Sequence, residues 1–138
     1  METRNKIIKK KDTNVLMYGK MQPQAPDLEV VVLGAMMLEP QCINQVMAII
    51  PKPECLYVDA HQRILASIYR LRNKNVSAHF MAVCNDLREN NELEMVGGSF
   101  FVTKLTQDVV SSSGIEHDAR IVMQKYMMRE LINIAGNA

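Results

Sequence analysis

Residues 59–71, Asp59-Ala60-His61-Gln62-Arg63-Ile64-Leu65-Ala66-Ser67-Ile68-Tyr69-Arg70-Leu71, decide the fold class. Ile64, Leu65, Ile68 and Leu71 fall at i, i+1, i+4 and i+7, the apolar stripe of an amphipathic helix. Asp59 with Gln62 three residues later has the spacing of a capping box and predicts that the helix starts there.

Working outward from this helix, the same periodicity returns on both sides. Upstream, Leu28, Val31, Val32, Ala35 and Leu38 recur at helical spacing. Asp27 is read as the N-cap, Glu29 complements the dipole in the first turn, and Pro40 ends the helix. A second helix fits Gln41 to Ile50, with Ile43, Val46, Met47 and Ile50 on one face and Pro51 and Pro53 closing it. Downstream, Ser77 is read as a cap for Phe80, Val83, Cys84 and Leu87, while Asn85, Asp86, Arg88 and Glu89 face water. Gly97-Gly98 breaks the chain, and a short helix follows through Phe101, Val102 and Leu105. Ser111-Ser112-Ser113-Gly114 reads as a loop before a last helix from Ile115 to about Ile134. Neither strand-like alternation beyond a few positions nor an internal repeat is visible.

The expected architecture is all-α: a small orthogonal bundle of about six helices ending in a long one. Its divisions are a flexible basic arm over 1–24, a globular helical subdomain over 25–110, and the long helix over 111–138. That last helix carries Ala119, Val122 and Tyr126, but also Ile121, Met128, Leu131 and Ile132, so it is apolar on more than one side. Such a helix must be covered on two faces. Its own domain covers one, and a second helix or a neighbour must cover the other.

Composition bounds the rest. A chain of 138 residues with 48% apolar and 22% charged residues is of ordinary globular make-up. Its longest apolar stretch, Val30 to Leu38, falls far short of the roughly 18 residues a membrane-spanning helix needs. The lysines at 6, 9, 10 and 11 precede no apolar core of the kind a secretory signal has, so a cytoplasmic location is expected. Cys42, Cys55 and Cys84 are odd in number and lack CxxC spacing, which suits buried reduced thiols. Residues 1–20 hold six Lys/Arg against Glu2 and Asp12, a balance of +4, whereas the remainder holds ten against thirteen. A basic arm on an acidic body directs any affinity for nucleic acid to the arm. Among eleven methionines, Met36-Met37 and Met127-Met128 are the pairs assigned to an interface, and the others to the core.

Catalytic chemistry is not visible. No G-x-x-x-x-G-K-[ST] loop occurs, and Gly97-Gly98-Ser99 lacks its lysine, so this chain alone is not expected to hydrolyse ATP. His61, His79 and His117 are scattered and are read as surface or capping residues, with no metal expected. Glu92 and Glu94 are read as plain charged surface in a solvated turn. No serine sits in a nucleophile elbow.

Four stretches, in order, resemble the bacterial replicative DNA helicases, the DnaB family. They are Ala25 to Glu39, Ala60-His61-Gln62-Arg63-Ile64, Leu93-Glu94-Met95-Val96-Gly97-Gly98, and Ile115-Glu116-His117-Asp118-Ala119-Arg120-Ile121-Val122. The chain departs from the family at Val30-Val31, where an acidic or polar residue and alanine are usual, and at Phe101, where tyrosine is common. Val30 should add an apolar spot to the first helix. The resemblance implies the amino-terminal domain of such a helicase. Its hairpins pair into dimers and build a collar, typically a trimer of dimers, above a hexameric motor ring encircling single-stranded DNA. It implies only the first helix of the hairpin here, a parent enzyme whose ATPase domain uses ATP and Mg, and primase and a helicase loader as partners. By position, Phe101 and Ile132 resemble residues that face primase or support its binding surface, and Leu131, Met128 and Ile121 resemble dimer or hairpin contacts. The alternative places Phe101 in the core. A second functional reading is a stand-alone interaction protein that regulates helicase assembly.

Overall fold

The computed structural model describes residues 14, 15, 18, 19, 21–107, 109 and 111–137. The arm expected over 1–24 therefore lies largely outside the described residues. Apart from a two-residue pairing of Asn14–Val15 with Tyr18–Gly19, the described chain is helix and loop. The helices are α1 (Pro26–Leu38), α2 (Ile43–Ile49), α3 (Asp59–Asn73), α4 (Phe80–Glu89), α5 (Gly98–Lys104) and α6 (Ile115–Asn137). Single 3-10 turns at Pro40–Cys42, Pro53–Cys55 and Glu94–Val96 link them. The all-α expectation holds.

At the centre is α1, because it is apolar nearly all round and only an interior position satisfies such a helix. Val32, Leu33, Gly34, Ala35, Met36 and Met37 are buried in one continuous run. It packs against α6 and α3, and α6 also rests on α2. Met36 and Met37 are thus core residues, not the interface pair expected. Their unbranched thioethers fill space between helices, each fully buried apolar side chain of this size contributing about 1.5–3 kcal/mol. No single helix among the described residues is long and apolar enough to cross a membrane. The stretch Pro40–Ile49, apolar together with α1, turns from it by 117° at the proline break.

One glycine is dictated by packing. A Cβ at Gly34 would lie 2.2 Å from the Leu105 carbonyl oxygen and 2.7 Å from Val109 Cγ2. Bare α1 backbone lets the chain after α5 cross it at this distance. Gly97 answers a different need: its φ of 107° lets the 3-10 turn reverse directly into α5.

The helix starts differ from the sequence reading. Ala25 flanks α1 and Asp27 lies inside it, behind a proline that has no N–H to satisfy. α4 is flanked by His79, because Ala78 is buried and carries the chain past Ser77 before it turns. At α3 the Asp59–Gln62 box is not formed. Asp59 binds Arg63 at 2.9 Å and the Gln62 side-chain amide donates to the Leu56 carbonyl at 2.8 Å. The cap comes from α1 instead. The Glu29 carboxylate, 1% exposed, accepts from the Tyr57 amide at 2.7 Å, the Val58 amide at 3.4 Å and His61 Nδ1 at 2.8 Å. A carboxylate only accepts, so His61 carries its proton on Nδ1 in this contact. His61 is therefore buried, not a surface residue as expected.

The α3–α4 seam is polar where water-facing residues were expected. Asp86 is buried and accepts from Arg70 Nη2 at 2.6 Å, while Glu92 accepts from Arg63 at 2.9 Å. These hydrogen bonds raise the pKa of both arginines above their ordinary value, Asp59 with Glu92 acting on Arg63 and Asp86 on Arg70. A carboxylate can leave water here because a guanidinium already waits for it.

Candidate docking surface

α6 is two structures in one helix. Over its first half Ile115, Ala119 and Val122 are buried and Met123 and Tyr126 pack partly against the core, and one turn further on Arg129 is buried as well. These positions recur at steps of three or four, the register of one helical face laid on α1 and α2. From Glu130 to Gly136 every residue is exposed. Leu131 and Ile134 each keep 66% of their surface, Ile132 48% and Met128 45%, and Met127 is exposed beside them. The helix leaves the body with its apolar content uncovered. The sequence assigns the uncovered apolar surface to a second face along the helix, whereas it lies at the outer end, where the helix runs past the body.

Of the other residues singled out, Ile121 is half-buried on the inner half of α6 and does not join the bare flank. Phe101 stands on α5, a different element. It is half-buried, stacked on the His61 ring with centroids 6.4 Å apart and planes 14° from parallel. With Val30, Lys104 and Leu105 it lines a cavity of about 170 Å3, so the apolar Val30 does join Phe101 at one spot. The exposed aromatic of α5 is its neighbour Phe100, 77% exposed, which the sequence reading passed over. The residues chosen from sequence thus fall into two places, α6 and the α1–α5 cavity.

Nucleophilic chemistry finds no support in the thiols. Burial pushes the Cys42, Cys55 and Cys84 thiols above their ordinary 9.0, which keeps them protonated at neutral pH. The Tyr69 phenol is likewise pushed up by burial and donates to the Ile50 carbonyl at 2.6 Å. Among the described residues no three His, Cys, Asp or Glu side chains gather to hold a metal ion.

The family model of the DnaB-like helicase N-terminal domain matches residues 21–124. The chain belongs to this family. Among curated DnaB relatives, a replicative DNA helicase DnaB of Rhodothermus marinus is 38% identical over 116 residues, 84% of this chain and 12% of that protein. The replicative DNA helicase DnaB of Geobacillus stearothermophilus is 31% identical over 120 residues, 87% of this chain and 26% of its own length. The chain therefore spans between an eighth and about a quarter of these relatives. In three dimensions it is similar to the crystal structure of the N-terminal domain of DnaB helicase from Mycobacterium tuberculosis. The TM-score is 0.82 at 26% identity, with 85% of this chain and 81% of that one covered. The DnaB family match takes in the whole body and the inner half of α6, and the bare outer half begins just beyond it.

Proposed function

We propose that this chain is the amino-terminal scaffold of a replicative DNA helicase, which organises the oligomer and docks primase while a motor domain hydrolyses ATP with Mg and moves on single-stranded DNA. The observation that carries the reading is the uncovered outer half of α6. Burying five such side chains in each of two copies, each about half bare, contributes on the order of 8–15 kcal/mol at about 1.5–3 kcal/mol per full burial. Association costs about 4–15 kcal/mol, so the flank alone supports a weak self-contact. A tight one needs more surface, as a second hairpin helix or a ring of neighbours provides.

In this reading Leu131 and Met128 contact the second copy, Ile121 braces the inner helix, and Ile132 with Phe101 serves the primase side. A helicase loader is the further partner the family brings. Apolar anchors on a projecting helix suit helix-in-groove recognition. The test is sedimentation of the chain across a concentration series, with Leu131→Lys/Ile132→Lys beside it, and calorimetric titration with a bacterial primase. Association that weakens at least tenfold in the double variant, and primase heat that falls in Phe101→Ala, are expected. A chain equally monomeric with and without the two lysines, and primase binding indifferent to both sites, would sink the proposal.

A further inference from the structure

Arg129 is the last buried residue of α6, and it is held in an unusual way. Its Nη1 donates to the Pro23 carbonyl at 2.7 Å and its Nη2 to the Cys55 carbonyl at 3.0 Å. The guanidinium also lies over the rings of Tyr57 and Tyr126, with centroids 5.2 and 5.8 Å away. One side chain thus gathers three separate parts of the chain: the approach to α1, the 3-10 turn before α3, and the point where α6 leaves the body. A planar fork with fixed N–H directions is what allows two carbonyls on different segments to be bound at once. The π faces of two tyrosines compensate the loss of water.

We infer that Arg129 is a positioning residue that couples the segment arriving at Pro23 to the setting of the outer half of α6. Its acceptors are backbone carbonyls, so they move only if the backbone moves. A shift of residues 21–25 withdraws the Pro23 oxygen from a buried cation, which must then break its other bond or tilt the helix to follow. The reverse also holds, because a partner that bends the outer helix pulls on the same oxygen. The consequence for partners rests on the docking role proposed above, whereas the coupling itself is a property of the chain alone.

The experiment is amide hydrogen exchange on the full chain and on Arg129→Gln, Arg129→Lys and Pro23→Gly. Three groups of amides are followed: residues 127–132 on α6, Leu28 and Glu29, which bond the Ala25 carbonyl, and Cys55, which bonds that of Lys52. Arg129→Gln should speed exchange in all three groups on the order of tenfold, the loss of charge-assisted bonds being of that size. Val83, on α4, should stay unchanged. Arg129→Lys, which keeps the charge without the fork, should fall between. Pro23→Gly, which loosens the acceptor without touching α6, should speed residues 127–132 as well. Nitroxides on cysteines introduced at the exposed Glu89 and Asn133, the native thiols being buried, should show a broadened distance distribution in Arg129→Gln.

Acceleration confined to α6, equal acceleration at Val83, or an α6 that ignores Pro23→Gly would each overturn the coupling. Sedimentation of Leu131→Lys beside the wild-type chain separates this inference from the docking reading. A Leu131→Lys chain that associates like wild type counts against docking and leaves the exchange result standing.

Discussion

Replacing Glu29 tests how the two halves of the body are joined. Its carboxylate accepts three hydrogen bonds from α3 and the residues before it, at 2.7, 3.4 and 2.8 Å, in a site closed to water. In Glu29→Leu all three donors lose their acceptor, and leaving each buried group unmatched costs about 1–3 kcal/mol. The 3.4 Å contact is weak and Tyr57 is partly exposed, so a loss of about 3–5 kcal/mol is the expectation, a large share of the roughly 5–15 kcal/mol a domain of this kind has. Glu29→Gln is the informative partner. Its carbonyl oxygen still accepts from the Tyr57 amide, and its NH2 can donate to His61 Nδ1 if the ring moves its proton to Nε2. What remains lost is the charge at the start of α3, about 1 kcal/mol, and the weak 3.4 Å acceptor of the Val58 amide, which shares Oε1 with His61. Urea unfolding followed by circular dichroism gives both numbers, with unchanged m-values as the check that one transition is compared. If Leu and Gln cost the same, or if Leu costs under about 0.5 kcal/mol, the cross-helix cap is not what holds α3 to α1.

Three further outcomes follow from the same packing. Gly34→Ala places a methyl inside the Leu105 carbonyl and should cost about 1–3 kcal/mol, read as a lowered thermal midpoint, whereas Gly136→Ala on the open end of α6 should not destabilise. Leu131→Lys should leave chemical stability within about 0.5 kcal/mol while weakening self-association, since the site is exposed in one copy. Raised thiols at Cys42, Cys55 and Cys84 and a raised phenol at Tyr69 mean that the unfolded chain releases these protons first, from about the ordinary 9.0 and 10.0. Their stabilisation is whole below pH 9 and drains away as pH climbs through the higher folded values, so unfolding titrations should show a fall above pH 9 that Tyr69→Phe makes shallower.

Apolar spacing made the helices legible. Ile64, Leu65, Ile68 and Leu71 repeat at the helical period, and they are buried where that period puts them. The over-apolar last helix was legible for the same reason, and the flank at Leu131, Ile132 and Ile134 is bare. What spacing does not carry is polar partnership across the chain. Asp59 and Gln62 have the form of a capping box, but a carboxylate 30 residues upstream already holds the amides at 57 and 58. Asp86 lies at a position that looks wet from α4 alone, and only α3 brings Arg70 to it. Arg129 reads as one more charge on a helix until the carbonyls of Pro23 and Cys55 are in place around it. Met36-Met37 and Met127-Met128 are the same dipeptide, and their opposite fates follow from which helix is enclosed. Phe101 stays divided between core and surface, half-covered by His61 and half-lining the cavity with Val30.

Because Ile115, Ala119 and Val122 are pinned inside the body while the same helix runs on into open water, the folded body and the projecting end share one rod. A molecule that grips the projecting end also selects the folded form of everything behind it, so occupancy should appear as heat resistance of the entire unit, growing with the logarithm of ligand concentration. Melting curves recorded at rising protein concentration would then serve as a binding assay without a label.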